Sequence, residues 1–120
     1  MGRCIWASGP VLVLLVLFLA DPPISLRLRP SFGFAPLTVQ LSVRIPPHPD
    51  NRVVCIQLDS DNGYFRSSCF EHVGEEAKGL VVQNYGGLDV GNYLVTVELI
   101  RVGDKRYTAS QTFRAIGEEY

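Results

Sequence analysis

Leu37–Ile45 reads LTVQLSVRI, and its alternation decides the fold. Leu37, Val39, Leu41, Val43 and Ile45 fall on one face; Thr38, Gln40, Ser42 and Arg44 fall on the other. A period of two is that of a half-buried strand, in which successive side chains point to opposite sides. Pro46, Pro47 and Pro49 follow and end the run, because proline has no N–H to give to a ladder.

The same period continues outward. Upstream, Ile24, Leu26 and Leu28 alternate with Ser25, Arg27 and Arg29. Downstream, Arg52–Asp59 sets Val54, Ile56 and Leu58 on one face, and the turn DSDNG leads into a fourth strand over Tyr64–Phe70. Glu71–Lys78 reads as a polar loop, Gly79–Gln83 as a short fifth strand and NYGGLDVGN as a connection. Tyr93–Arg101 carries Tyr93, Val95, Val97 and Leu99 on one face. A turn over Val102–Lys105 joins it to the last strand, Arg106–Ile116. Short strands with Gly, Pro and Asp turns, and no stretch of helical period, predict an all-β, seven-stranded sandwich.

Two strings add a family resemblance. Arg29–Leu41, RPSFGFAPLTVQL, resembles the opening of PKD-type and related immunoglobulin-like domains of secreted proteins. Leu88–Val95, LDVGNYLV, resembles the turn before their penultimate strand. The resemblance implies an immunoglobulin-like sandwich over 24–116 with a corner built from Leu88, Gly91 and Tyr93, the tyrosine hydroxyl bonding back to upstream backbone. It also implies a non-catalytic interaction scaffold.

Before the strands, Val11–Ala20 is VLVLLVLFLA, ten apolar residues preceded by Arg3. As a helix this run is about 15 Å long, half of a bilayer core of roughly 30 Å. It reads as a secretory signal cut after Ala20, or as an uncleaved N-terminal anchor over residues 5–20. The expected organisation is therefore 1–20 signal peptide or anchor, 21–36 proline-rich lead-in with a possible first strand, 24–116 domain, and 117–120 tail. The expected location is secreted, periplasmic or extracellular, with membrane anchoring if the segment is retained.

Cys4 lies in the signal region, which leaves Cys55 and Cys69. They are symmetric about Asn62, so a hairpin around DSDNG sets them directly opposite, within disulfide reach. A structural disulfide is the reading.

The 120 residues carry 11 basic and 12 acidic side chains, a net charge of −1, which argues against a nucleic-acid binder. Asp59 and Asp61 are a weak calcium candidate, set against the hairpin role of Asn-Gly. His48 and His72 read as surface residues with no nucleophile and orienting partner beside them. No nucleophile elbow, zinc-protease helix motif or phosphate-binding glycine loop is present in the sequence. The expectation is no catalysis and no cofactor. Tyr64, Phe65, Arg66 and Tyr85 are the candidate ligand contacts, for a protein or carbohydrate partner. The functional expectation is an exported, non-catalytic binding or structural module of the cell envelope or extracellular space. The alternatives are a membrane-tethered accessory domain and a small secreted enzyme.

Overall fold

A computed structural model describes residues 24–117. The signal or anchor segment with its expected helix, Cys4, residues 21–23 and the tail from 118 lie outside the described residues. The described chain is all-β, with eight strands instead of the seven expected. They are β1 (Ser25–Arg29), β2 (Phe32–Phe34), β3 (Leu37–Arg44), β4 (Asn51–Ser60), β5 (Phe65–Glu71), β6 (Leu80–Leu88), β7 (Gly91–Arg101) and β8 (Lys105–Ile116).

Two sheets form, ordered β1-β3-β6 and β2-β8-β7-β4-β5. Between them lies one core, in which Val39, Leu41 and Val43 of β3 meet Val54, Ile56 and Leu58 of β4 and Val95, Val97 and Leu99 of β7. These are the apolar faces that the alternation marks. Tyr93 is buried and stacks on Phe113, with ring centroids 4.8 Å apart. At roughly 1.5–3 kcal/mol for each large apolar side chain buried, these faces hold the sheets together.

The hairpin β4–β5 sets Cys55 opposite Cys69, and a disulfide joins them with Cα atoms 4.0 Å apart. It lies on the outer face of the larger sheet, where Cys69 is exposed on the edge strand β5.

Two elements differ from the sequence reading. Phe32–Phe34, expected to be lead-in, is a strand parallel to β8, pairing Phe32 with Arg114 and Phe34 with Ile116. β6 does not stop at Gln83 but runs to Leu88, burying Tyr85 and Leu88. A register shift between Leu37 and Val39 on the partner strand absorbs Gly86 and Gly87, and Gly87 takes φ +66°. Both glycines thus sit inside a strand that bends, where an isolated glycine pair suggests a turn.

Candidate functional site

The turn after β4 does more than reverse the chain. Ser60 Oγ bonds Asn62 Oδ1, which also accepts Tyr64 N at 3.0 Å, and Ser60 Oγ accepts Asn62 N at 3.2 Å. This local network leaves the Asn62 amide free to reach across. Asn62 Nδ2 donates to Val90 O and to Tyr93 Oη, both at 3.0 Å. The Tyr93 hydroxyl in turn donates to Asp89 O at 2.7 Å, four residues upstream. Beside it, Asp61 accepts Asn92 N at 3.0 Å and Asn92 Nδ2 at 2.8 Å, one carboxylate oxygen each. Asp61 N donates back to Asn92 O at 3.2 Å.

The β4–β5 turn is thus clamped to the β6–β7 turn by side chains. The clamp holds the Asp61 carboxyl below its ordinary range, first through the Asn92 backbone N–H, then the Asn92 amide, with the Arg114 charge adding to both. At Gly91 the approach is close. A Cβ there would lie 2.8 Å from Asn62 Nδ2 and 2.9 Å from Asp61 Oδ1.

The clamp forms one wall of a groove lined by Phe34, Asp61, Val90, Asn92, Arg114 and Ile116 among others. Register arranges these in two rows. Asn92 pairs with Arg114, and Arg114 with Phe32, so a polar row Asp61–Asn92–Arg114 crosses the sheet end and finishes on an exposed phenylalanine. Ile116 pairs with Phe34, and Val90 precedes Gly91 at the same end, so an apolar row runs beside the polar one. Phe34 and Val90 are both more than half exposed. Exposed apolar side chains grouped beside fixed charges mark a site more often than single exposed residues do.

Of the candidates from the sequence, Asp61 and Gly91 line the groove, while the expected ligand contacts fall elsewhere. Tyr85 is buried in the core, against the expectation of an exposed contact, and burial pushes its hydroxyl pKa up. Arg66 lies over the Tyr85 ring at 5.6 Å. Tyr64 packs edge-on against Tyr93, centroids 6.1 Å apart, while Phe65 alone stands exposed on the outer face. Asp59 accepts the backbone N–H of Ser60 at 2.9 Å and Asp61 is taken up by Asn92. Among the described residues no three His, Cys, Asp or Glu side chains converge on a metal position. His72, expected at the surface, is buried, which lowers its pKa. His48 is half-buried, and its Nδ1 accepts Asp50 N at 3.0 Å.

Phe34, Asn92 and Arg114 are absent from the sequence candidates. The one signal for them is Phe32-Gly33-Phe34, two aromatics flanking a glycine, which acquires meaning only once β2 is paired to β8.

The class that fold and site define is a small all-β domain of two sheets with an open groove at one strand end. Its solved neighbours are superoxide reductases. The chain is similar to superoxide reductase (neelaredoxin) from Ignicoccus hospitalis, with a TM-score of 0.59 and 14% identity over 80% of each chain. Two variants of that protein align with TM-scores of 0.63 and 0.62 at 13% and 12% identity, over 83% of this chain and 85% of theirs. At such identities the likeness is one of fold. No protein-family description and no curated protein matches the sequence. These neighbours overturn the PKD-type, immunoglobulin-like assignment. They equally overturn the expectation of a non-catalytic binding module and of a non-enzyme, because the solved proteins that share the fold are enzymes by name.

Proposed function

We propose that the chain recognises a small apolar carboxylate, such as the free C-terminal residue of a peptide, in the groove between Asp61 and Phe34. The supporting observation is the polar row Asp61–Asn92–Arg114 lying against the apolar row of Val90, Ile116 and Phe34. A guanidinium takes a carboxylate through two parallel N–H donors. The ionised Asp61, held by Asn92 at the far end of the row, repels an anion and attracts a donor, so it fixes which way the ligand lies. An apolar group against Phe34 and Val90 gains roughly 25 cal/mol for each Å² it removes from water.

Superoxide reduction, the activity in the neighbours' names, passes a single electron and needs a redox-active group. The described donor set does not fit a metal centre for it: no three ligand-type side chains converge, and Cys55 and Cys69 are bonded to each other. That activity is therefore not assigned to this groove.

Nuclear magnetic resonance titration with N-acetylleucine and N-acetylleucinamide tests the reading. The acid is expected to shift Asn92, Arg114 and Ile116 and to bind about tenfold tighter than the amide, the worth of one charge-assisted pair. Arg114→Gln should erase that difference. Equal binding of acid and amide, or shifts confined to other residues, overturns it.

A further inference from the structure

The two sheets carry their charge differently. β1, β3 and β6 contain Arg27, Arg29 and Arg44 and no Asp or Glu at all. The outer face of the larger sheet mixes Asp59, Glu71 and Glu98 with Arg106 and Arg114. The three arginines share the outer face of the smaller sheet: Ser25 pairs with Arg44, Arg27 with Ser42 and Arg29 with Gln40, and all three arginines are exposed. Arg27 is thereby the diagonal neighbour of Arg44, close enough that like charges repel. Among the described residues none of the three makes an ion pair; the ion pairs there join Arg106 to Glu98 and to Asp104. On the far side of the face, Leu80 and Val82 of β6 pair with Arg44 and Ser42 and are nearly half exposed.

We infer that this face docks on an anionic lipid surface. Three guanidiniums with no ion-pair partner among the described residues are a like-charge cost that an external anion relieves. Arg suits phosphate because its planar fork meets two oxygens at once. The exposed Leu80 and Val82 favour a lipid boundary over a fully hydrated polyanion, since apolar side chains gain by entering the headgroup–acyl region. The apolar run ending at Ala20 stands five residues before β1, which already carries two of the arginines.

Vesicle co-sedimentation of the full chain tests the inference, with neutral phosphatidylcholine vesicles as the baseline for whatever the apolar run contributes. Adding phosphatidylglycerol at about one lipid in three should raise partitioning, because each arginine near such a surface is worth about fivefold. Arg27→Gln/Arg29→Gln/Arg44→Gln should lose at least about tenfold on the anionic vesicles, keep the neutral baseline and melt as the wild type does. Lys105→Gln, on the hairpin of the other sheet, should change little. Equal binding to neutral and anionic vesicles, or a triple variant that binds as the wild type, overturns the inference. So does capture by soluble dextran sulfate without preference for anionic vesicles, which would make the partner a polyanion. None of these outcomes touches the carboxylate groove, which is read on the other sheet.

Discussion

The two ends of the five-stranded sheet handle polar groups in opposite ways. At the β4 start, Asn51 is fully buried and every polar atom of it is used. Its Nδ2 donates to Pro46 O at 3.1 Å, its Oδ1 accepts Arg101 Nε at 2.9 Å, its N donates to His48 O and its carbonyl accepts Gly74 N. Arg101 then lies over the Tyr107 ring at 4.9 Å. At the β4 finish, Asp61, Asn62 and Asn92 are as thoroughly bonded to each other but exposed. Buried polar groups cost free energy unless satisfied, so the first network is obligatory for folding. The second is not forced by burial. A rigid polar array that stays in water is what a recognition site needs, and its partners hold the side chains ready at little cost in order.

The largest expected effect lies at the buried end. Asn51→Ala leaves Pro46 O and the Arg101 guanidinium without their partners, and should cost about 3 kcal/mol, or a melting temperature lower by about 15 °C. Binding of N-acetylleucine by the remaining folded protein should be unchanged. A loss below about 0.5 kcal/mol would show that water reaches this end and that the contrast between the ends is false.

Next comes Tyr93→Phe, which keeps the ring on Phe113 and removes only the hydroxyl between Asp89 O and Asn62 Nδ2. About 2 kcal/mol should be lost, together with weaker ligand binding because Asn62 and the turn loosen. Gly91→Ala is milder for stability, about 1 kcal/mol, since the atoms it meets belong to side chains that can shift. Shifting them breaks the Asp61–Asn92 bonds, so its effect on N-acetylleucine affinity should exceed that of Asn51→Ala, although its effect on melting is smaller. The reverse ranking would mean that the clamp does not shape the groove.

What could be read from sequence divides along the same physical line. β3, β4 and β7 are legible because each buries one face, and burial writes a period of two. The disulfide is legible because Cys55 and Cys69 are symmetric about a tight turn, so a local rule fixes a non-local distance. β2 is not, because three residues between two prolines carry no period and their partner, β8, lies some eighty residues away. The groove draws on residues 34, 61, 90–92 and 114–116, and no local pattern links four segments. Asp61 stands out in the sequence as an oxygen ligand, whereas its oxygens are taken by Asn92. The misreading of family has a similar source. RPSFGFAPLTVQL and LDVGNYLV record a strand opening and a tight turn, which antiparallel folds of different ancestry both require. His72 follows a polar edge strand, and only the fold closes over it.

The smallest expected effect separates the two ends by pH. Burial lowers the His72 pKa from its ordinary 6.5, so the folded state resists its protonation. The stability this gives is present above about pH 6.5 and is lost as pH falls through the lowered folded value. Asp61 is also lowered, from 3.8, by its bonds from Asn92, so its contribution is intact there and is lost only further down. Being exposed, Asp61 is screened and its share is small. Melting temperature followed from about pH 7.5 to pH 2.5 should therefore fall in two stages, first from the buried end and then from the clamp. His72→Gln should flatten the first stage and leave the second, while Asp61→Asn should reduce the second and leave the first. If His72→Gln keeps the full slope between about pH 6.5 and 5, the histidine is accessible to protons without unfolding, and the buried end is no more closed than the clamp.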